Sequence, residues 1–162
     1  MCAGLALASM TTLGCGPAPE SKTANIQAGD LPEGESWTGV YFHPVFGYLH
    51  LVEEDTHVVG KWVRTDKGKA GQLSGTKLGN VLRFSWSEHT CGGSAGLRGS
   101  KGKGVFVYKV GKEGIAELDG QYGLDDSEVG SDWHNVKQQR QTAELSAGNC
   151  PGGDAPATGS LD

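Results

Sequence analysis

Large apolar side chains are sparse in this chain. Aromatic residues make up 7% of its 162 positions. Its longest apolar stretch, Leu5 to Leu13, is well short of the roughly 20 residues that a bilayer-crossing helix requires. Clustered Lys and Arg are also missing. Between Ser36 and Gln139, 12 acidic residues balance 12 basic ones, so the net charge of -5 comes from the two tails. A nucleic-acid footprint needs a basic face, and nucleic-acid partners are excluded on that ground. No CxxC pair or spaced His companion accompanies any cysteine, which leaves zinc and redox motifs without a foothold.

In contrast, glycine is abundant, at 27 residues. Glycine with few aromatics suits short strands and tight turns better than long amphipathic helices, so the expected class is all-β. The length allows one domain with tails. Apolar segments read as strands near 37–43, 46–53, 56–65, 70–76, 80–88, 104–110, 115–122 and 131–138. Alternation supports them. Leu82, Phe84 and Trp86 share one face against Arg83, Ser85 and Ser87, and Leu118, Gly120 and Tyr122 oppose Glu117, Asp119 and Gln121. Short links such as Glu54-Asp55, Asp66-Lys67-Gly68 and Leu78-Gly79-Asn80 force antiparallel neighbours. Eight strands in up-and-down order are expected to close into a barrel, which removes free edges; a β-sandwich is the alternative.

The N-terminus carries a second pattern. Leu5 to Leu13 has the length of a signal-peptide apolar region, and it ends at Leu13-Gly14-Cys15, followed by Gly16-Pro17-Ala18-Pro19. This stretch resembles the lipobox of bacterial lipoprotein precursors. The resemblance implies cleavage after Gly14, a diacylglycerol on Cys15, and a mature protein held on a membrane of the bacterial envelope. An ordinary leader cut elsewhere, or an apolar N-terminal strand, is the alternative. On the lipoprotein reading, residues 1–14 are the signal peptide, 15–35 a lipidated and flexible linker, 36–140 the barrel, and 141–162 a low-complexity tail. Loss of Cys2 with the leader and acylation of Cys15 would leave Cys91 and Cys150 in an oxidising compartment, where they are expected to form a disulfide.

A glycine followed two residues later by an aromatic recurs at Gly39/Tyr41, Gly60/Trp62 and Gly120/Tyr122. This rhythm resembles avidin-like and lipocalin-like barrels at the level of architecture, without any ligand residue to carry over. Barrel interiors of eight strands hold side chains or one small ligand. The residues expected to line such a pocket are Tyr41, His50, Trp62, Arg83, Trp86, Tyr122 and Trp133, suited to a small amphipathic ligand; core packing is the competing role for the aromatics.

His43, His50, His57, His89 and His134 form no metal motif, and Asp125, Asp126, Glu128 and Asp132 lack calcium-loop spacing. No metal or other cofactor is expected. His89-Thr90-Cys91 places a histidine and a thiol on one strand face, but a disulfide would consume the thiol. No catalytic set emerges, so the chain reads as a non-enzymatic binding module for a small ligand or an envelope protein. The alternative is a structural or inhibitor protein acting through the glycine-rich, basic stretch from Cys91 to Lys103.

Overall fold

A computed structural model describes residues 22–92 and 99–152. The expected signal peptide, residues 1–14, and the expected lipidation site Cys15 lie outside the described residues. Eight antiparallel strands run in chain order: β1 (Gly39–His43), β2 (Gly47–Glu54), β3 (His57–Val63), β4 (Lys69–Leu78), β5 (Val81–Thr90), β6 (Ser100–Val110), β7 (Ala116–Tyr122) and β8 (Ser131–Lys137). β8 returns to β1 through Tyr41↔Lys137 and Phe42↔Val136, closing the sheet into the expected barrel. One 3₁₀ turn, Leu145–Gly148, follows.

The two-residue hairpins work as their sequences imply. Leu78 pairs with Val81 across Gly79-Asn80, and Gly79 takes a φ of 55°. A residue with a Cβ is strained there, and the Gly29 carbonyl is packed against the same spot. Strand phase then fixes the interior. Leu49, Leu51, Trp62, Leu82, Phe84, Trp86, Phe106, Tyr108, Leu118 and Trp133 form one core, joined by Trp37 and Tyr41. Trp37, Trp62 and Trp133 are at most 1% exposed, so the lumen is filled by side chains.

Two sequence expectations need correction. β6 begins at Ser100, not Gly104, so Lys101 and Lys103 lie in a strand and the break between β5 and β6 spans only 91–99. Gly102 and Gly104 hide this extension because they show no apolar alternation. They stand opposite Trp86 and Phe84; Gly104 leaves room for the Phe84 ring, and Gly102 for the Gly123 carbonyl. The flexible linker through Glu35 is corrected from Lys22 onward. Ala24 and Ile26 pack on the outward side chains of Val81, Val105 and Val107, and Leu31 reaches the main core. A few small apolar groups suffice because the barrel surface they cover is already formed.

Residues 141–152 also lie against the barrel. The Glu144 N–H donates to His50 Nδ1 at 3.1 Å, and Lys61 Nζ donates to Asn149 Oδ1 at 2.9 Å. Cys91 and Cys150 form the expected disulfide, with Cα atoms 5.4 Å apart.

Gly71 on β4 faces the Trp62 ring, and a Cβ there would fall inside that ring's van der Waals radius. Gly71→Ala should destabilise the fold by about 1–3 kcal/mol through overpacking. Urea unfolding followed by tryptophan fluorescence measures this, and an unchanged midpoint would show that the Trp62 ring has room to move.

Candidate functional site

Chain direction gives the barrel two unlike ends. The Trp37 end carries the turns at 55–56, 79–80 and 111–115 together with the entry to β1. Trp37 plugs it, with its indole N–H donating to the Gly79 carbonyl at 3.3 Å and its ring edge on Tyr108 at 5.4 Å. A polar rim surrounds the plug. Lys137 Nζ donates to the Ser36 carbonyl at 3.2 Å and to the Tyr108 hydroxyl at 3.1 Å, while Tyr108 donates to Glu35. Burial raises the Tyr41 and Tyr108 hydroxyls above their ordinary pKa, so both stay protonated donors. Burial also pulls the Glu53 carboxyl upward, but hydrogen bonds from Lys77, the Trp37 N–H and Ser36 outweigh it and hold the group below its ordinary value.

The opposite end carries the turns at 44–46, 64–68 and 123–130 and is named here for Arg64. Glu88 follows Leu82, Phe84 and Trp86 on the inward phase of β5, and its side chain is only 3% exposed. Arg64 satisfies it in two-pronged fashion, at 2.7 and 2.8 Å, and the Trp62 indole donates at 3.3 Å. Arg64 also stacks over Phe46 at 5.0 Å. With both oxygens bonded, Glu88 acts as a charged stopper for the barrel mouth.

The seven residues expected to line one pocket divide between two surfaces. Tyr41, Trp62, Trp86, Tyr122 and Trp133 point into the lumen, where Trp133 meets Trp62 at 5.1 Å and Tyr122 at 5.7 Å. His50 and Arg83 point outward. His50 lies under the C-terminal segment, and Arg83 clamps the N-terminal one by bonding Glu128 and the Ala24 carbonyl at 3.1 Å. Phase in β2 and β5 already sets both residues apart from the lumen side chains.

Beside His50 runs an external groove of about 450 Å³, lined by Phe42, Tyr48, Val63 and Arg64 and bordered by Asn149. Its volume falls in the range of small-molecule sites. Sequence reasoning missed it because the C-terminal segment that forms one wall carries no regular pattern. Missed too were Glu88 and Asn135, although their inward phase was available as a signal. Asn135 is fully buried, and neither its amide atoms nor the Trp133 indole N–H finds a partner among the described residues.

Among the described residues no group of three His, Cys, Asp or Glu side chains gathers as a metal set. His57 bonds Ser74 at 2.9 Å, while His134 lies within 4.0 Å of Glu117 and Asp119. His89 Nε2 is 3.6 Å from Cys150 Sγ, so the histidine faces the disulfide. The acidic run is partly paired, Asp126 with Lys103 at 3.0 Å and Glu128 with Arg83.

Burial lowers the pKa of His50, with Glu144 opposing, and burial together with His134 lowers that of His43. Both use Nδ1 as an acceptor from backbone N–H groups, which requires the neutral ring. The folded pKa lies below the unfolded value of about 6.5, so unfolding takes up protons and stability falls as pH drops below about 6.5. His50→Gln should reduce that slope by at most about 1.4 kcal/mol per pH unit. The protection factor of the Glu144 amide, its exchange corrected for the intrinsic pH dependence, should fall with acid in the parent and not in the variant; equal pH dependence in both would overturn the assignment.

Asn135→Leu removes the orphaned amide while keeping its branched shape and number of side-chain heavy atoms. It should raise stability by about 1–2 kcal/mol in chemical denaturation. A loss instead would mean that the amide has a polar partner the fold requires.

No family model, curated protein or solved structure matches this chain.

Proposed function

We propose that the protein is a non-enzymatic lipoprotein of the bacterial envelope, anchored to a membrane through Cys15, whose barrel serves as a rigid module for contact with an envelope protein. The observation that carries this reading is the filled lumen. Trp37, Trp62 and Trp133 are buried completely or nearly so, and Trp37 and the Arg64–Glu88 pair close the two mouths. A packed interior leaves recognition to the outer wall and the turns. Exposed Tyr48, Leu78 and Val110 give that wall apolar points of contact. The disulfide accords with an oxidising compartment, as the envelope reading requires.

A second reading keeps the small amphipathic ligand but moves it out of the lumen. The groove beside His50 favours it, since Phe42 and Tyr48 stack at 5.0 Å along one wall and Asn149 offers a polar edge. The stretch that begins at Cys91 is a third contact element, now limited to 91–99, with residues 93–98 outside the described ones.

Native mass spectrometry of protein expressed with its leader, and extracted from bacterial membranes in detergent, separates these readings. Acyl groups on Cys15, no free thiol and no small molecule released on unfolding are the expected result. A stoichiometric small molecule, lost in a Tyr48→Ala variant, would establish the groove reading instead. A soluble, uncut chain with reduced cysteines would overturn the envelope reading.

A further inference from the structure

The N-terminal segment runs along the outer wall of the barrel, from Asn80 to the turn 123–130. At the Trp37 end, the Gly29 N–H donates to Asn80 Oδ1 at 2.7 Å and the Gly29 carbonyl accepts from the Asn80 N–H at 3.0 Å. At the Arg64 end, the Lys22 carbonyl accepts from the Glu128 N–H at 2.8 Å, and the Ala24 N–H donates to Glu128 Oε2 at 3.0 Å. Arg83, Val81, Val105 and Val107 hold the stretch between. The chain before Lys22 therefore leaves from the Arg64 end.

From Cys15 to Lys22 there are seven Cα steps, a reach of at most about 25 Å when fully extended. Had residues 22–35 been free, the added reach would be about 45 Å, enough for either end to turn toward the bilayer. Packing of those residues removes this freedom.

On these grounds, and resting on the lipid-anchor reading above, we infer that the Arg64 end of the barrel docks on the lipid surface that holds Cys15. Val45 in the turn 44–46 is 54% exposed and Leu124 in the turn 123–130 is 63% exposed, and both project from that end. They are suited to enter the interfacial region, where apolar side chains gain from leaving water. The Trp37 end then faces away, carrying Leu78 and Val110 toward whatever partner approaches from the aqueous side.

The test uses the full acylated protein in vesicles of phosphatidylethanolamine and phosphatidylglycerol. A photocrosslinking benzoyl-phenylalanine replaces Val45, Leu124, Leu78 or Val110 in turn, and phospholipid adducts are read by mass. Adducts at 45 and 124 with loss of adduct at 78 and 110 are expected. Lengthening the stretch between Ser21 and Lys22 with about 20 Gly/Ser residues should abolish the difference between the ends, since that coil adds about 25 Å. Equal adducts at both ends, no adduct at any of the four positions, or a preference for 78 and 110, overturn the orientation while leaving the anchor intact. A mass without acyl groups on Cys15 overturns the anchor reading and the orientation with it.

Discussion

Filling the lumen of a closed eight-stranded sheet is the constraint on which this structure depends, and Trp133 is the side chain that meets it. Its indole lies against the rings of Phe46, Trp62, Phe84, Phe106 and Tyr122, at centroid separations from 4.7 to 6.0 Å and mostly edge to face. Such pairs each add about 0.5–1.5 kcal/mol beyond the burial of their area. Rings so large fit only where facing strands yield space. Gly71 opposite Trp62, Gly104 beside Phe84 and Gly120 beside Phe106 supply it. High glycine content and few aromatics are therefore two sides of one packing solution.

Closure by side chains matters more here than closure by backbone. β4 and β5 share ten paired positions, but β1 and β8 share two, extended by the Gln138 N–H donating to the Val40 carbonyl at 2.7 Å. Phe46 and Trp133 pack together at 4.7 Å near the part of β8 that lies beyond this pairing. The two peripheral segments reinforce the wall elsewhere. Residues 22–31 cover the outward valines of β5 and β6, and the disulfide ties the C-terminal segment to the end of β5. That bridge closes a loop of 59 residues, which in the chain-entropy account stabilises by about 4 kcal/mol.

How much of this was legible in the sequence follows from which signals are local. All eight strands and their order could be read, because period-two alternation and two-residue turns act within a few positions. The Cys91–Cys150 bridge followed from counting the thiols that export and acylation of Cys15 would leave. The start of β6 was hidden, since Gly102 and Gly104 face inward without an apolar side chain to show it. The packed part of the N-terminal segment was hidden for another reason. Ala24, Ile26 and Leu31 are too few to form a core, yet they need only cover one, and composition cannot tell a free tail from a strap. Grouping His50 and Arg83 with the lumen aromatics came from residue type; their phase, between Leu49 and Leu51 and between Leu82 and Phe84, points outward.

The division between inside and outside also bears on how this barrel can work. The lumen is committed to ring packing, and the polar groups that enter it serve closure, with Glu88 held by Arg64 and Trp62 at one mouth and Trp37 held by Gly79 at the other. A ligand entering either mouth would have to displace an ion pair or an indole already bonded in place. Beyond the residues that hold the two terminal segments, the outer wall carries no such commitment. Tyr48, Leu78 and Val110 are exposed on three different strands, and changing them leaves the ring cluster untouched. Ring packing thus resides on the inward phase and the proposed recognition on the outward phase of the same strands, so exposed outward residues can change without loosening the ring cluster.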